Sequence, residues 1–173
     1  MRVLTITTPD VENGLGNRVT IWFAGCSHRC VGCHNQHTWD YNQGTQLFDD
    51  GVIEKIFSEV DKDYISGITL AGGDPFSQSD ESLNELLKFI RMYKSAFPEK
   101  NIWVYSGATY ESDSLHPIKN DILNLCDVMV DGPFIIALRD PDLAFRGSSN
   151  QRVIDLKKTR EKGEVVILDV KWY

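Results

Sequence analysis

The chain has 173 residues, with 18 Lys and Arg against 25 Asp and Glu and a formal net charge of −7. Its length suits one domain, on a prior of roughly 100–200 residues each, and 42% hydrophobic with 25% charged residues is an ordinary globular composition. The acidic balance argues against nucleic acid as an affinity-dominating partner, because phosphate contacts need clustered Lys and Arg, and no apolar run approaches the roughly 20 residues that span a bilayer.

Residues 1–12 carry no signal-peptide core. The expectation is therefore a cytoplasmic protein with no membrane partner. In a reducing compartment, clustered cysteines are metal ligands or redox groups more often than disulfides.

From the N-terminus, residues 3–8 read as a strand and Asn13-Gly14-Leu15-Gly16 as a turn. Residues 18–24 (RVTIWFA) are rich in β-branched and aromatic side chains, which predicts a buried strand running straight into Gly25-Cys26. Between 50 and 60, Ile53, Ile56, Phe57 and Val60 keep the i, i+3, i+4, i+7 spacing of a helix, and Asp49 and Asp50 suit its N-terminal end. Residues 65–70 form the next strand, which ends in Ala71-Gly72-Gly73-Asp74-Pro75. Leu83, Leu86, Leu87, Ile90 and Phe97 give a second helical stripe, started by Ser82 with Glu85 as a capping box or a turn earlier at Ser79. Residues 101–105 (NIWVY) are a strand ending at Ser106-Gly107. Residues 117–125 are a short helix with Pro at its first position, and 127–130 a strand ending in Asp131-Gly132-Pro133. The remainder reads as an irregular tail from about 134 to 173, with a strand at 165–170 as an added hairpin or edge.

Strands alternating with helical stripes predict one α/β domain over 1–173, made of βαβ units on a mostly parallel sheet. The chain is too short for eight βα units, which need about 250 residues, so the expectation is an open partial (β/α) barrel. The carboxyl ends of such strands carry the ligand site. Gly25, Gly72-Gly73-Asp74, Ser106-Gly107 and Asp131-Gly132 all fall there.

Three of the four cysteines, Cys26, Cys30 and Cys33, have the spacing C-x3-C-x2-C in one loop. Three thiolates this close suit a polynuclear iron cluster, and because a 4Fe-4S cube normally takes four cysteines, one iron would keep an open position. The alternative is a structural zinc site with His28, His34 or His37 as fourth ligand. Cys126, beside Leu125 and Val128, reads as a buried core thiol.

A cysteine loop after one strand and a Gly-Gly-Asp loop after the next resembles the radical S-adenosylmethionine (radical SAM) enzymes. Within them, Asn13-Gly14-x-Gly16-x-Arg18, the cysteine loop running into Thr38-Trp39, Gly72-Gly73-Asp74-Pro75, residues 102–107 (IWVYSG), Val130-Asp131-Gly132 and Arg146-Gly147-Ser148-Ser149-Asn150-Gln151 resemble the activating proteins of anaerobic (class III) ribonucleoside-triphosphate reductase. The likeness runs in order over residues 1 to 155, and 157–173 have no counterpart in it.

The resemblance implies a radical SAM-type partial barrel in which Cys26, Cys30 and Cys33 hold a 4Fe-4S cluster and the open iron is chelated by S-adenosylmethionine. One electron from the reduced cluster breaks the sulfonium C–S bond, giving methionine and a 5′-deoxyadenosyl radical. That radical takes a hydrogen atom from a glycine Cα of the reductase and leaves a glycyl radical there. A flavodoxin-like or other low-potential donor would supply the electron, and a homodimer is compatible with the resemblance. Gly72, Gly73 and the Asp74 carboxylate would meet the methionyl ammonium, the alternative for Asp74 being a helix cap before Pro75. Ser106 would bind the methionyl carboxylate or ribose, or be a plain turn serine. Backbone at Gly32 and His34 would meet the adenine. Asp131 would touch ribose or partner, or pair with an Arg. Residues 146–151 would line the pocket or face the partner's glycine loop, or be a polar loop. His28, Arg29 and His37 read as loop-surface residues, and Phe23, Trp39 and Trp103 as core. Two further readings stand beside this one: activation of another glycyl radical enzyme, such as pyruvate formate-lyase, and a non-catalytic zinc-binding module.

Overall fold

A computed structural model describes residues 1–44 and 46–171; Thr45 and, from the expected tail, Trp172 and Tyr173 lie outside the described residues. Among the described residues the strands β1 (Arg2–Asp10), β2 (Asn17–Phe23), β3 (Gln46–Leu47), β4 (Ile65–Gly72), β5 (Asn101–Tyr105), β6 (Val128–Asp131) and β7 (Arg152–Asp155) form one open sheet in the order β3-β1-β2-β4-β5-β6-β7. The helices are α1 (Asp50–Val60), α2 (Asp80–Ala96), α3 (Tyr110–Asp113), α4 (Pro117–Leu125) and α5 (Leu156–Lys162).

The four central strands β2, β4, β5 and β6 are parallel. β1 and β3 on one side and β7 on the other pair antiparallel. The expected mostly parallel sheet thus holds at the centre and is corrected at both margins. Among the described residues the connections into these marginal strands contain no α-helical crossover of the kind that returns the chain to a parallel start.

Each central crossover moves to the next strand in the same direction. With right-handed crossovers this brings every helix to one face. The packing agrees: Val19, Ile21, Phe23, Ile68, Leu70, Ile102, Val104 and Met129 share one core with Val52, Ile56, Leu86, Ile90 and Ile122 from the helices. The alternate side chains Trp103, Val128, Val130 and Val153 pack instead with Ala144 and Phe145. Complete burial of one Ile or Leu contributes about 1.5–3 kcal/mol, so the helix-side core dominates the fold's stability.

The helix starts follow local chemistry. Asp49 caps α1 by accepting from Val52 N at 3.1 Å, and Ser79 caps α2 by accepting from Ser82 N at 3.3 Å. The earlier of the two expected starts is the observed one. Helix α2 therefore begins five residues after Pro75, and Asp74 caps no helix.

The tail differs from expectation. Residues 134–151 are irregular apart from one 3-10 turn, but β7 and α5 follow as regular elements. Asp155 caps α5, accepting from Lys158 N at 2.9 Å. The expected strand at 165–170 makes only an isolated antiparallel bridge, Ile154 to Ile167. With Gly163 in the left-handed region ending α5, the chain returns too briefly along β7 for a full strand.

Candidate functional site

The loop after β2 is closed at its base by Gly25 N–H to Thr38 O at 2.7 Å and Cys26 N–H to Trp39 O at 3.3 Å. It is then joined to the loop after β4. Gly73 N–H donates to Phe23 O and Asp74 N–H to Gly25 O, both at 2.8 Å, which prolongs the β2–β4 pairing beyond the strands. The glycines are required by this closeness. Gly72 has φ +110°, and a Cβ on Gly73 would lie 2.2 Å from Gly25 O.

Within the cysteine loop, backbone donors converge on sulfur. Cys26 Sγ is hydrogen-bonded by the backbone of His28 and Arg29, and Cys33 Sγ accepts from Asn35 N–H at 3.4 Å. Arg29 adopts a left-handed φ of +48°. Such a bend turns successive N–H groups inward, an arrangement that recurs around iron–sulfur clusters. Burial pushes the Cys26 thiol up, while these backbone bonds oppose it. Cys126 lies on the helix-side core, fully buried. Its thiol is pushed up to about 12 by burial, so it remains protonated and apolar.

A cavity of about 500 Å³ opens at the carboxyl ends of the central strands. Cys26, Cys30, Cys33, His34, Gly72, Gly73, Ser106, Arg146, Gly147 and Gln151, all expected site residues, line it. Its volume falls in the ordinary range for small-molecule sites. Among the described residues, no three His, Cys, Asp or Glu side chains group as they would around a single ion.

The other expected residues sit differently. Gly32 faces the Ile136 side chain. Asp74 is 2% exposed. Its Oδ1 accepts from Phe76 N–H at 2.7 Å, and its Oδ2 from Gly107 N–H at 3.1 Å and from His28 Nε2 at 2.7 Å. His28, expected on the loop surface, is thus docked inward, and its imidazole pKa is raised chiefly by the Asp74 hydrogen bond.

Ser106 Oγ donates to Asp113 Oδ2 at 2.7 Å and accepts from Ala108 N–H at 3.1 Å, so its hydroxyl is engaged within the protein. Asp131, 1% exposed, accepts from Tyr110 N–H at 2.7 Å and from the Arg152 guanidinium. This is the Arg-paired alternative.

Residues 147–151 form a turn. Gln151 Oε1 accepts from the N–H groups of Gly147 (2.9 Å) and Ser148 (3.1 Å), and its Nε2 donates to Gly132 O at 3.0 Å. Ser148 Oγ accepts from Ile135 N–H, Ser149 N–H donates to Leu138 O, and Asn150 Nδ2 donates to Pro133 O. Arg146 differs: its buried Nε has no hydrogen-bond partner among the described residues.

The sequence reading missed Phe134, Arg139 and Phe145, which also line the cavity. They lie in the irregular stretch, where no periodicity marks an inward face. Phe145 takes a left-handed φ of +61° and packs edge-on against Trp103 at 5.3 Å.

A cysteine-lined cavity at the strand ends of an α/β sheet, with backbone donors aimed at sulfur, is the site of an iron–sulfur protein. Residues 12–154 match a family model described as a 4Fe-4S single cluster domain. The chain is 38% identical over 150 residues to the anaerobic ribonucleoside-triphosphate reductase-activating protein of Escherichia coli (strain K12), covering 86% of this chain and 94% of that relative. It is 39% identical over 153 residues to the protein of that name from Haemophilus influenzae, covering 87% and 96%. It is 39% identical over 146 residues to that from Enterobacteria phage T4, covering 83% and 87%. The chain belongs to the family of anaerobic ribonucleoside-triphosphate reductase-activating proteins. No helix among the described residues is long and apolar enough to cross a membrane.

Proposed function

We propose that this protein activates anaerobic ribonucleoside-triphosphate reductase as a radical SAM enzyme, with Cys26, Cys30 and Cys33 as the three protein ligands of a 4Fe-4S cluster. The observation that carries the reading is the meeting of these cysteines, the Gly72-Gly73 backbone and the unpartnered Arg146 Nε around one cavity. We read the one-sided helices and open sheet as a partial barrel whose other face looks inward.

The residues fit the groups they would hold. A thiolate trio leaves a fourth iron without a protein ligand, and the backbone donors at Cys26 and Cys33 offset the negative charge of the cluster. When bound, the cluster and S-adenosylmethionine together supply a one-electron cleavage that ends in a glycyl radical on the reductase. The chain's own work is to bind, orient and exclude water.

Backbone carbonyls of the Gly72-Gly73 turn would receive the methionyl ammonium, since no Cβ keeps a ligand away. The Asp74 carboxylate already accepts from Phe76 N–H, Gly107 N–H and His28 Nε2, which favours the turn's carbonyls over it as the ammonium's partners. Arg146 is the suited partner for the methionyl carboxylate, in place of the engaged Ser106 hydroxyl. The backbone at His34 and the faces of Phe134 and Phe145 would wall the adenine. The 146–151 turn carries Gly147 and Gln151 to the mouth, where a reductase glycine loop would enter. A low-potential donor of flavodoxin type would deliver the electron in the cytoplasm.

The test is to mix the reduced, reconstituted protein with S-adenosylmethionine and the reductase under anaerobic conditions. A glycyl doublet in the electron paramagnetic resonance (EPR) spectrum, dependent on all three components, is the expected result. Cleavage of S-adenosylmethionine with no doublet on the reductase would assign the chemistry to another target.

A further inference from the structure

Asp74 and His28 form a contact that neither the cluster nor the cofactor accounts for. The Asp74 carboxylate is 2% exposed and accepts three hydrogen bonds, from Phe76 N–H, Gly107 N–H and His28 Nε2. A carboxylate is acceptor-only, so the imidazole donates through Nε2–H. The ring also fills a particular space. A Cβ placed on Gly107 would come within 2.4 Å of His28 Cδ2 and 2.7 Å of Cγ. The residue midway between Cys26 and Cys30 is thus seated in a slot whose wall is Asp74, after β4, and whose floor is Gly107, after β5. Three consecutive strand ends meet at one side chain.

We propose that His28 is a positioning residue of the iron–sulfur loop: docked on Asp74 and Gly107, it fixes the path of the chain between the first two cysteines. The acid of the Gly-Gly-Asp motif then acts through His28 rather than on a bound amine. Gly107 is glycine because the imidazole occupies the place of its Cβ. Groups that orient metal ligands typically change metal affinity by about 10–100-fold when removed. Beside His28, among the described residues, the segment between the first two cysteines is tied by side chain only through the exposed Ser27 hydroxyl, 3.0 Å from Ser77 Oγ. The inference rests on the iron–sulfur assignment and not on the radical chemistry.

The test uses reconstituted holoprotein and reads the rate of iron loss to a chelator, with the EPR spectrum of the reduced cluster in the absence of S-adenosylmethionine. His28→Ala is expected to speed iron loss by about 10–100-fold and to broaden the spectrum, and His28→Gln, which keeps a donor of similar reach, to recover part of both. Gly107→Ala, which adds one methyl group and leaves both partners in place, should reproduce the His28→Ala effect by pushing the ring out. In the His28→Ala background the same Gly107→Ala change should be silent, because the space is vacant. Iron loss from His28→Ala at the wild-type rate overturns the proposal. So does a Gly107→Ala effect that is undiminished in the His28→Ala background, which also separates loss of the clamp from general misfolding. A colourless wild-type protein holding zinc would instead remove the cluster assignment itself.

Discussion

The two ends of the inward face of the sheet each present an arginine, and the two are treated oppositely. At the amino ends of the strands, Arg18 is fully buried and its guanidinium is saturated. It donates to Thr69 Oγ1 at 2.6 Å, Leu15 O at 3.0 Å, Asn101 Oδ1 at 2.8 Å and Ile68 O, and it lies 5.4 Å from the Trp103 ring centroid. Burial lowers its pKa to about 10, so it stays charged at neutral pH. At the carboxyl ends, Arg146 lines the cavity with a buried Nε that no described residue satisfies. A buried donor without a partner is costly, so a cation left open in a cavity points to a ligand, whereas a saturated one is part of the frame.

The largest effects should separate the cysteines. Replacing Cys26, Cys30 or Cys33 with Ala should abolish cluster assembly, read as iron and sulfide per chain and the loss of brown colour. Cys126→Ala should leave both intact. With its pKa near 12, Cys126 should also resist alkylation in the folded apoprotein while the loop cysteines react.

Next in size is the frame arginine. Arg18→Ala should cost about 3 kcal/mol, from a cavity plus carbonyls left unpaired, seen as a lower denaturant midpoint with an unchanged cluster spectrum. Arg146→Ala should do the reverse. Stability should move by less than about 0.5 kcal/mol, while S-adenosylmethionine binding weakens about 10–100-fold, as loss of a charge-assisted hydrogen bond predicts. Decarboxylated S-adenosylmethionine should bind wild type and variant alike. Equal losses for both compounds would remove the carboxylate assignment.

The smallest effect is acidic. Arg152 bridges buried Asp131 and exposed Glu111, and its hydrogen bond holds the Glu111 carboxyl below its ordinary 4.5. A depressed carboxyl contributes stability above its unfolded pKa and loses it as pH falls through the folded value. Glu111→Gln should therefore lower stability slightly at pH 7, leave it unchanged in strong acid where the wild-type carboxyl is protonated, and so flatten the acid limb of the stability curve below pH 4.5.

Much of this arrangement was legible in the sequence where chemistry is local. The periodicity of 50–60, the Pro-led helix at 117–125 and the apolar strand at 101–105 have the observed bounds. The three cysteines and the Gly72-Gly73 turn, placed by the sequence at strand carboxyl ends, line one cavity there. What stayed hidden depends on non-local contact. Asp74 has the composition of a ligand or cap, but its partners are 46 and 33 residues away. Ser106 and Asp131 were committed to Asp113 and Arg152, partners that no spacing announces. Phe134 and Phe145 reach the cavity from a stretch held by side-chain bonds of the 147–151 turn rather than by periodic burial.

Entry of S-adenosylmethionine at a vacant metal corner underlies the proposed function. It is tested most directly by titrating the reduced holoprotein with S-adenosylmethionine while recording the EPR spectrum of the cluster. A saturable shift in g values is expected in wild type, requiring about 10–100-fold more ligand in Arg146→Ala. A spectrum unmoved at concentrations where equilibrium dialysis shows the ligand bound would contradict it.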